Sequence, residues 1–261
     1  MKTNKFFKLL GALTPILLIF TGCDNVKLLA MGSYPIPLMH EPRTSKSDAE
    51  EKVISADFYK TNSGALLNTK DINSLGASAH FTYRAGGDFS WLFLSVAASG
   101  SYGKLKLDCP NYLCDGDFNS EYAAVVNRNR TYSYSSMQEL ARVGVEATPG
   151  FFVMGLSGGV HLYQDSGPFE VIRDSLKKEG IVKGNAYRGL LLENRAWLGL
   201  RLGSSGKYGT INTEMIIQSN SSYSDNMVRF NFGYFHPTGW HGGLLGTGNG
   251  VSLTAGKSFY F

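Results

Sequence analysis

The feature that most constrains this chain is an alternation of apolar and polar residues with a period of two, running from about Ile54 to the C-terminus. Successive side chains of a strand point to opposite faces, so this period means sheet with one apolar face and one tolerant face. In 75–84, Leu75, Ala77, Ala79, Phe81 and Tyr83 share one face, against Gly76, Ser78, His80, Thr82 and Arg84. In 140–147, Ala141, Val143, Val145 and Ala147 oppose Arg142, Gly144 and Glu146. In 151–163, Phe152, Met154, Leu156, Val160 and Leu162 oppose Gly155, Ser157, Gly159 and His161. In 195–202, Ala196, Leu198, Leu200 and Leu202 oppose Arg195, Gly199 and Arg201. In 228–235, Val228, Phe230, Phe232 and Tyr234 oppose Arg229, Asn231 and Gly233. The segments 89–99, 208–219 and 250–261 alternate less cleanly.

These make eight strands after residue 72, with a ninth at Val53–Lys60 and room for a tenth in 119–136 or 236–249. Each has about the ~9–11 residues that a tilted strand needs to cross a bilayer. The tolerant faces carry Arg84, Arg142, Glu146, Arg195, Arg201, Glu214 and Arg229. In a soluble sandwich these would face water while the apolar faces packed together. In a small barrel they would turn inward and pair, leaving the apolar faces for lipid. The expected fold is therefore all-β: a closed antiparallel up-and-down barrel of 8–10 strands, transmembrane, with a plugged, salt-bridged interior. Glycines at many inward positions would relieve crowding. Ala85–Asp88, Thr148–Gly150 and Ser204–Lys207 read as tight turns, and 101–136 and 164–187 as long loops. The second loop has Pro168 placed to open a helix and Gly180 to end it, with Val171, Ile172 and Leu176 as its apolar stripe.

Residues 1–22 have a basic start and an apolar run from Leu9 to Phe20, which reads as a secretory signal. Phe20-Thr21-Gly22-Cys23 resembles the lipobox of bacterial lipoproteins, with Phe where Leu is usual. That resemblance implies an acylated, palmitate-bearing N-terminus at Cys23. Residues 23–50, with Pro35, Pro37 and Pro42, read as a flexible tether to a barrel domain over 51–261. The two remaining cysteines, Cys109 and Cys114, read as a disulfide stapling a small loop in an oxidising compartment.

The C-terminus reads Thr254-Ala255-Gly256-Lys257-Ser258-Phe259-Tyr260-Phe261. It resembles the C-terminal signal of bacterial outer-membrane β-barrel proteins, with Thr254, Gly256, Phe259 and Phe261 at its positions. The resemblance implies the bacterial outer membrane as location, and outer-membrane lipid and the barrel-assembly machinery as partners. Lys257, on the face of Phe259 and Phe261, would snorkel to the interface.

Charge removes one class of function. The net charge of +4 falls to +1 without residues 1–22, which leave 22 basic and 21 acidic residues, so the chain lacks the footprint of a nucleic-acid binder. His236 and His241 bracket one turn without a third metal ligand, and no metal or cofactor is expected. His161, Ser157 and Glu146 share the inward faces, yet no nucleophile motif surrounds them, so they read as a polar network rather than a catalytic set. The function expected is a small outer-membrane (lipo)protein with a structural, adhesive or narrow-channel role. The alternatives are a soluble β-sandwich or barrel surface lipoprotein that binds a ligand, and a barrel enzyme acting on envelope lipids.

Overall fold

The computed structural model describes residues 36, 38, 40–42, 49–62, 70–107, 131–178, 188–203, 206–220, 223–246 and 251–261. Residues 1–22, read above as a secretory signal, Cys23, most of 23–50, read as a tether, and Cys109 and Cys114 lie outside them. Ten strands follow in chain order: β1 (Glu51–Asn62), β2 (Lys70–Arg84), β3 (Leu92–Leu107), β4 (Thr131–Ala147), β5 (Phe152–Ser166), β6 (Arg188–Arg201), β7 (Thr210–Asn220), β8 (Tyr223–Phe235), β9 (Trp240–Gly246) and β10 (Val251–Tyr260). Each pairs antiparallel with its neighbours in sequence, and β1 pairs with β10, so the sheet closes into a barrel. Closure excludes the open sandwich and removes both sheet edges.

The seam is long. Its register runs from Val53 opposite Tyr260 to Asn62 opposite Val251. Lys52 and Phe261 extend it, exchanging backbone hydrogen bonds of 3.1 and 2.9 Å. The strand that the alternation leaves hidden is β9, inside 236–249, where Gly242, Gly243 and Gly246 dilute the apolar rhythm. Of the prolines in the described residues, none lies within a strand; Pro149 and Pro237 occupy turns.

An even strand number places the start of β1 and the end of β10 on one rim. The connections 85–91, 148–151, 202–209 and 236–239 lie on that same rim. The opposite rim is marked by the strand ends Asn62 and Lys70, Leu107 and Thr131, Ser166 and Arg188, Asn220 and Tyr223, and Gly246 and Val251. The long loops are shorter than 101–136 and 164–187, because β3 reaches Leu107, β4 begins at Thr131 and β5 ends at Ser166. There the outward residues are Lys104, Lys106, Ser133 and Ser135, so the apolar signal fades while the strand pairing continues.

The outward face is apolar over its middle, with Ile54, Phe58, Leu75, Met137, Leu156 and Phe232 exposed. A water-soluble protein rarely shows a continuous band of this kind, whereas hydrocarbon stabilises it. Phe89, Trp91, Phe151, Tyr208 and Trp240 ring the tight-turn rim, where their amphipathic rings suit a membrane interface. Lys257 bends toward that rim: its ammonium lies 5.1 Å over the Trp240 ring and donates to the Thr238 carbonyl. Glu139 and Asn194 interrupt the band on the outward faces of β4 and β6.

Among the described residues one α-helix, α1 (Pro168–Lys178), follows β5 at the long-loop rim and packs on β4 and β5. Its buried face differs from the expected stripe. Phe169, Glu170 and Arg173 are buried, whereas Val171 is exposed. Phe169 anchors the helix, and Arg173 pairs with Glu170 at 2.6 Å and with Asp174 at 2.8 Å. Burial pushes the Glu170 carboxyl up to about 7 against the pull of Arg173, and the nearby Asp165 pushes it the same way.

The plugged lumen as candidate functional site

Inward side chains of a ten-strand barrel converge on a narrow axis, so every polar group there needs a partner. Arg84, Arg142, Glu146, Arg195, Arg201 and Glu214 are all buried in this lumen, and Arg229 faces it half-buried. Arg195 is the hub. Its Nε donates to Glu193 Oε1 at 2.7 Å, and its Nη1 lies 3.3 Å from Glu214 Oε1. Arg142 Nη1 stands 3.7 Å from the same Glu214 oxygen, with its guanidinium 5.9 Å from the centre of the Phe93 ring. Glu193 continues the chain, accepting from Gln218 Nε2 at 2.9 Å; that amide also lies 2.8 Å from His161 Nδ1. Arg84 pairs with Glu51 at 3.0 Å near the tight-turn rim.

The lumen is less polar than the sequence suggests. Phe93, Val153 and Trp197 form a buried apolar cluster inside it, and Tyr163 with Leu191 forms another. Trp197 shares a face with Arg195 and Arg201, which marks that face as enclosed rather than wet. Two glycines make the packing possible. A Cβ on Gly155 would stand 2.3 Å from the Trp197 ring, and one on Gly256 would stand 2.3 Å from Asp57 Oδ1. Gly256, which the sequence resemblance places in a C-terminal signal, has in the structure a local packing reason to lack a side chain.

The main departure from the sequence reading concerns the tether. Ile36, Leu38, His40, Glu41 and Pro42 are buried inside the barrel instead of bridging solvent. The barrel holds this segment largely by its carbonyls. Arg195 Nη1 donates to the Leu38 carbonyl at 2.8 Å, Asn212 Nδ2 to that of His40 at 3.0 Å, and Arg84 to that of Glu41. Side chains complete the fit. Ile36 and Leu38 pack on Leu140 and Ala97. The His40 ring stacks on Trp197 at 3.8 Å, lies 4.9 Å from Phe93, and bonds Glu146 Oε2 at 2.5 Å. Glu41 accepts from Ser55 at 3.0 Å and from the Tyr260 hydroxyl. Composition alone hides this segment, because three prolines and scattered polar residues read as linker. The signal available was the pairing of apolar Ile36 and Leu38 with ionisable His40 and Glu41.

The residues weighed as a catalytic set do not converge. Glu146 is taken by His40, His161 by Gln218 and Glu193, and Ser157 bonds to neither. His236 and His241 diverge too: His236 is exposed and bonds Thr238, while His241 turns inward. A different relay forms. His241 Nε2 donates to Asp57 Oδ1 at 2.6 Å, and Nδ1 lies 3.2 Å from Ser258 Oγ. Ser258 Oγ is 2.7 Å from Ser55 Oγ, which reaches Glu41 of the plug. The order Ser–His–Asp resembles a nucleophile relay, but Nδ1 also faces the Gly239 carbonyl at 3.1 Å. Both ring nitrogens then donate, leaving no lone pair to take the serine proton. All three side chains are buried.

No protein-family profile matches the chain, and no curated protein matches it. Among solved structures it is similar to the β domain of the Bordetella autotransporter Brka, at 11% identity and a TM-score of 0.42, over 82% of this chain and 100% of that one. It is also similar to the translocator domain of the autotransporter NalP from Neisseria meningitidis, at 10% identity and a TM-score of 0.37, over 83% of this chain and 89% of that one. Similarity at this level assigns neither a family nor an activity.

Proposed function

We propose that this chain is a small outer-membrane β-barrel (lipo)protein with a structural or adhesive role, closed to solute flow by its own segment 36–42. The observation that carries this reading is the main-chain grip on Leu38, His40 and Glu41 inside the lumen. A channel that conducts needs a hydrated path, and here the His40 ring, Trp197 and Phe93 occupy the lumen at one level. The apolar outward face and the aromatic rim support the membrane location, with outer-membrane lipid and the barrel-assembly machinery as partners. The shared rim of the tight turns and both strand termini supports an orientation with the long loops and α1 outside the cell. An acylated Cys23 and a Cys109–Cys114 bridge belong to the same reading. The Asp57–His241–Ser258 relay serves as scaffold, tying β1, β9 and β10 together across the seam.

The test is conductance in a planar lipid bilayer. The wild-type protein is expected to show no sustained open level. Replacing residues 36–42 by a Gly/Ser sequence of equal length is expected to produce discrete openings. A steadily open wild-type pore would refute the plug. The membrane claim is checked by comparing boiled and unboiled protein from isolated outer membranes on a gel. Identical migration, with release by carbonate, would overturn it.

A further inference from the structure

The lumen grips Leu38, His40 and Glu41 with groups that the wall itself fixes. Arg195 is braced by Glu193 at 2.7 Å and Glu214 at 3.3 Å, Arg84 by Glu51 at 3.0 Å, and Asn231 by Glu214 at 3.3 Å. All three acids stand on barrel strands, so these donors are held whether or not a segment lies against them. Arg195 and Asn231 reach the Leu38 carbonyl at 2.8 and 3.4 Å, Asn212 that of His40 at 3.0 Å, and Arg84 that of Glu41. In return, the His40 backbone N–H faces Glu214 Oε2 at 3.4 Å. Every residue has a carbonyl, so this grip reads peptide backbone and not sequence. Donors braced in advance lose little freedom on binding.

Two side-chain positions add selection. The His40 ring stacks on Trp197 at 3.8 Å, with Phe93 at 4.9 Å, and bonds Glu146 at 2.5 Å. A flat ring fits this slot, and only one with a polar nitrogen satisfies the buried Glu146 carboxylate there. Glu41 meets the Ser55 hydroxyl at 3.0 Å, the Tyr260 hydroxyl, and His80 Nε2 at 3.8 Å, a set that suits an acid. Ile36 and Leu38 pack on Leu140 and Ala97, where any aliphatic side chain of similar size fits.

We propose that the lumen is a peptide-binding site in its own right, which takes from a separate polypeptide a short peptide bearing apolar side chains followed by a histidine and an acid. The inference rests on the plug reading above and adds the class of ligand that the same site accepts. The ligand is a peptide and not a small solute because the donors stand on four strands, β2, β6, β7 and β8, and serve three carbonyls; a solute with one carbonyl would use a fraction of them. Covalent attachment gives the resident segment an effective concentration of about millimolar. A competing peptide below that level leaves the wild type occupied, and the site opens to it once the resident segment is replaced.

The test is conductance in a planar lipid bilayer, using the full chain with residues 36–42 replaced by Gly/Ser, the variant expected above to open. The probe is a synthetic peptide with the sequence of residues 36–42, its ends blocked, titrated to about 1 mM, the effective concentration of a tethered segment. The peptide is expected to close the openings in a concentration-dependent manner. Alanine in place of both its histidine and its acid is expected to raise the half-blocking concentration more than about tenfold, since hydrogen bonds to two charged groups are lost. Asn212→Ala in the barrel removes the donor to the His40 carbonyl and is expected to raise it about fivefold, provided heat-modifiable migration shows the variant folded. Openings that persist at the highest concentration overturn the inference and leave the plug reading standing. Equal block by the two peptides overturns the assigned ligand class, and an unchanged half-blocking concentration in Asn212→Ala overturns the main-chain grip. A Gly/Ser variant that never opens sinks the plug reading, and the inference with it.

Discussion

Arg195 offers the sharpest energetic test of the plugged lumen. Its side chain is 1% exposed, and it holds Glu193, Glu214 and the Leu38 carbonyl together. Arg195→Met keeps the volume of the stem and removes the charge. Two carboxylates, each about 1% exposed, then lose their nearest cation. Breaking a buried ion pair by deleting one partner costs about 3–5 kcal/mol. The lower end applies here, because Glu193 keeps Gln218 at 2.9 Å and Glu214 keeps Asn231 at 3.3 Å. A loss of about 3 kcal/mol is a hundredfold shift in the unfolding equilibrium. The assay is urea unfolding of protein refolded into phospholipid vesicles, followed by tryptophan fluorescence. Adding Glu193→Gln to Arg195→Met is expected to recover part of the loss, since one uncompensated charge is then removed. Arg195→Lys is expected to fall between, keeping the charge but not the planar fork. A single variant within ~0.5 kcal/mol of wild type would show that water, not Arg195, solvates these carboxylates, and would refute the tight plug.

Three further outcomes follow from local geometry. Gly256→Ala would drive a Cβ into Asp57 Oδ1 and within 2.5 Å of His241 Nε2, so it is expected to cost about 1–3 kcal/mol and lower the midpoint of the heat-modifiable transition. Gly100→Ala, where a Cβ meets nothing within 4 Å, is the neutral control; equal midpoints for the two variants would contradict the packing described. Because Glu170 is raised to about 7, the docking of α1 is strongest below the ordinary glutamate range and is lost as pH rises through 7. Hydrogen-exchange protection of 169–174 is expected to be higher at pH 5.5 than at pH 8, and to flatten in Glu170→Gln; pH-independent protection in the wild type would count against it. Deleting Phe261 removes the backbone pair with Lys52 at the seam and is expected to abolish assembly, read as loss of the protein from outer-membrane fractions; normal levels would argue against a machinery-read terminus.

The wall of the barrel was legible in the sequence because each strand writes its two environments into alternate residues. Leu75 to Tyr83 and Arg142 to Glu146 declare lipid and lumen residue by residue, and the even strand number follows once β9 is supplied. β9 itself was obscured because glycine carries no side chain to vote for either face. The helix boundaries were legible from Pro168, but its buried face was not: Phe169 and Arg173 pack where β4 and β5 rise past the membrane, and helical periodicity alone does not say which side meets them. The lumen was legible only as a set of charges. Which arginine meets which glutamate depends on register around a closed sheet, and neighbours such as Arg195 and Glu214 lie on different strands. The plug was the part that the tertiary structure alone decided. Residues 36–42 have no periodicity in sequence, and Ile36, Leu38, His40, Glu41 and Pro42 become buried where the closed barrel offers Arg84, Arg195 and Asn212 as donors to the carbonyls of Glu41, Leu38 and His40. A period of two determines what a strand can face; only closure of the sheet creates the interior in which a linker-like segment finds partners.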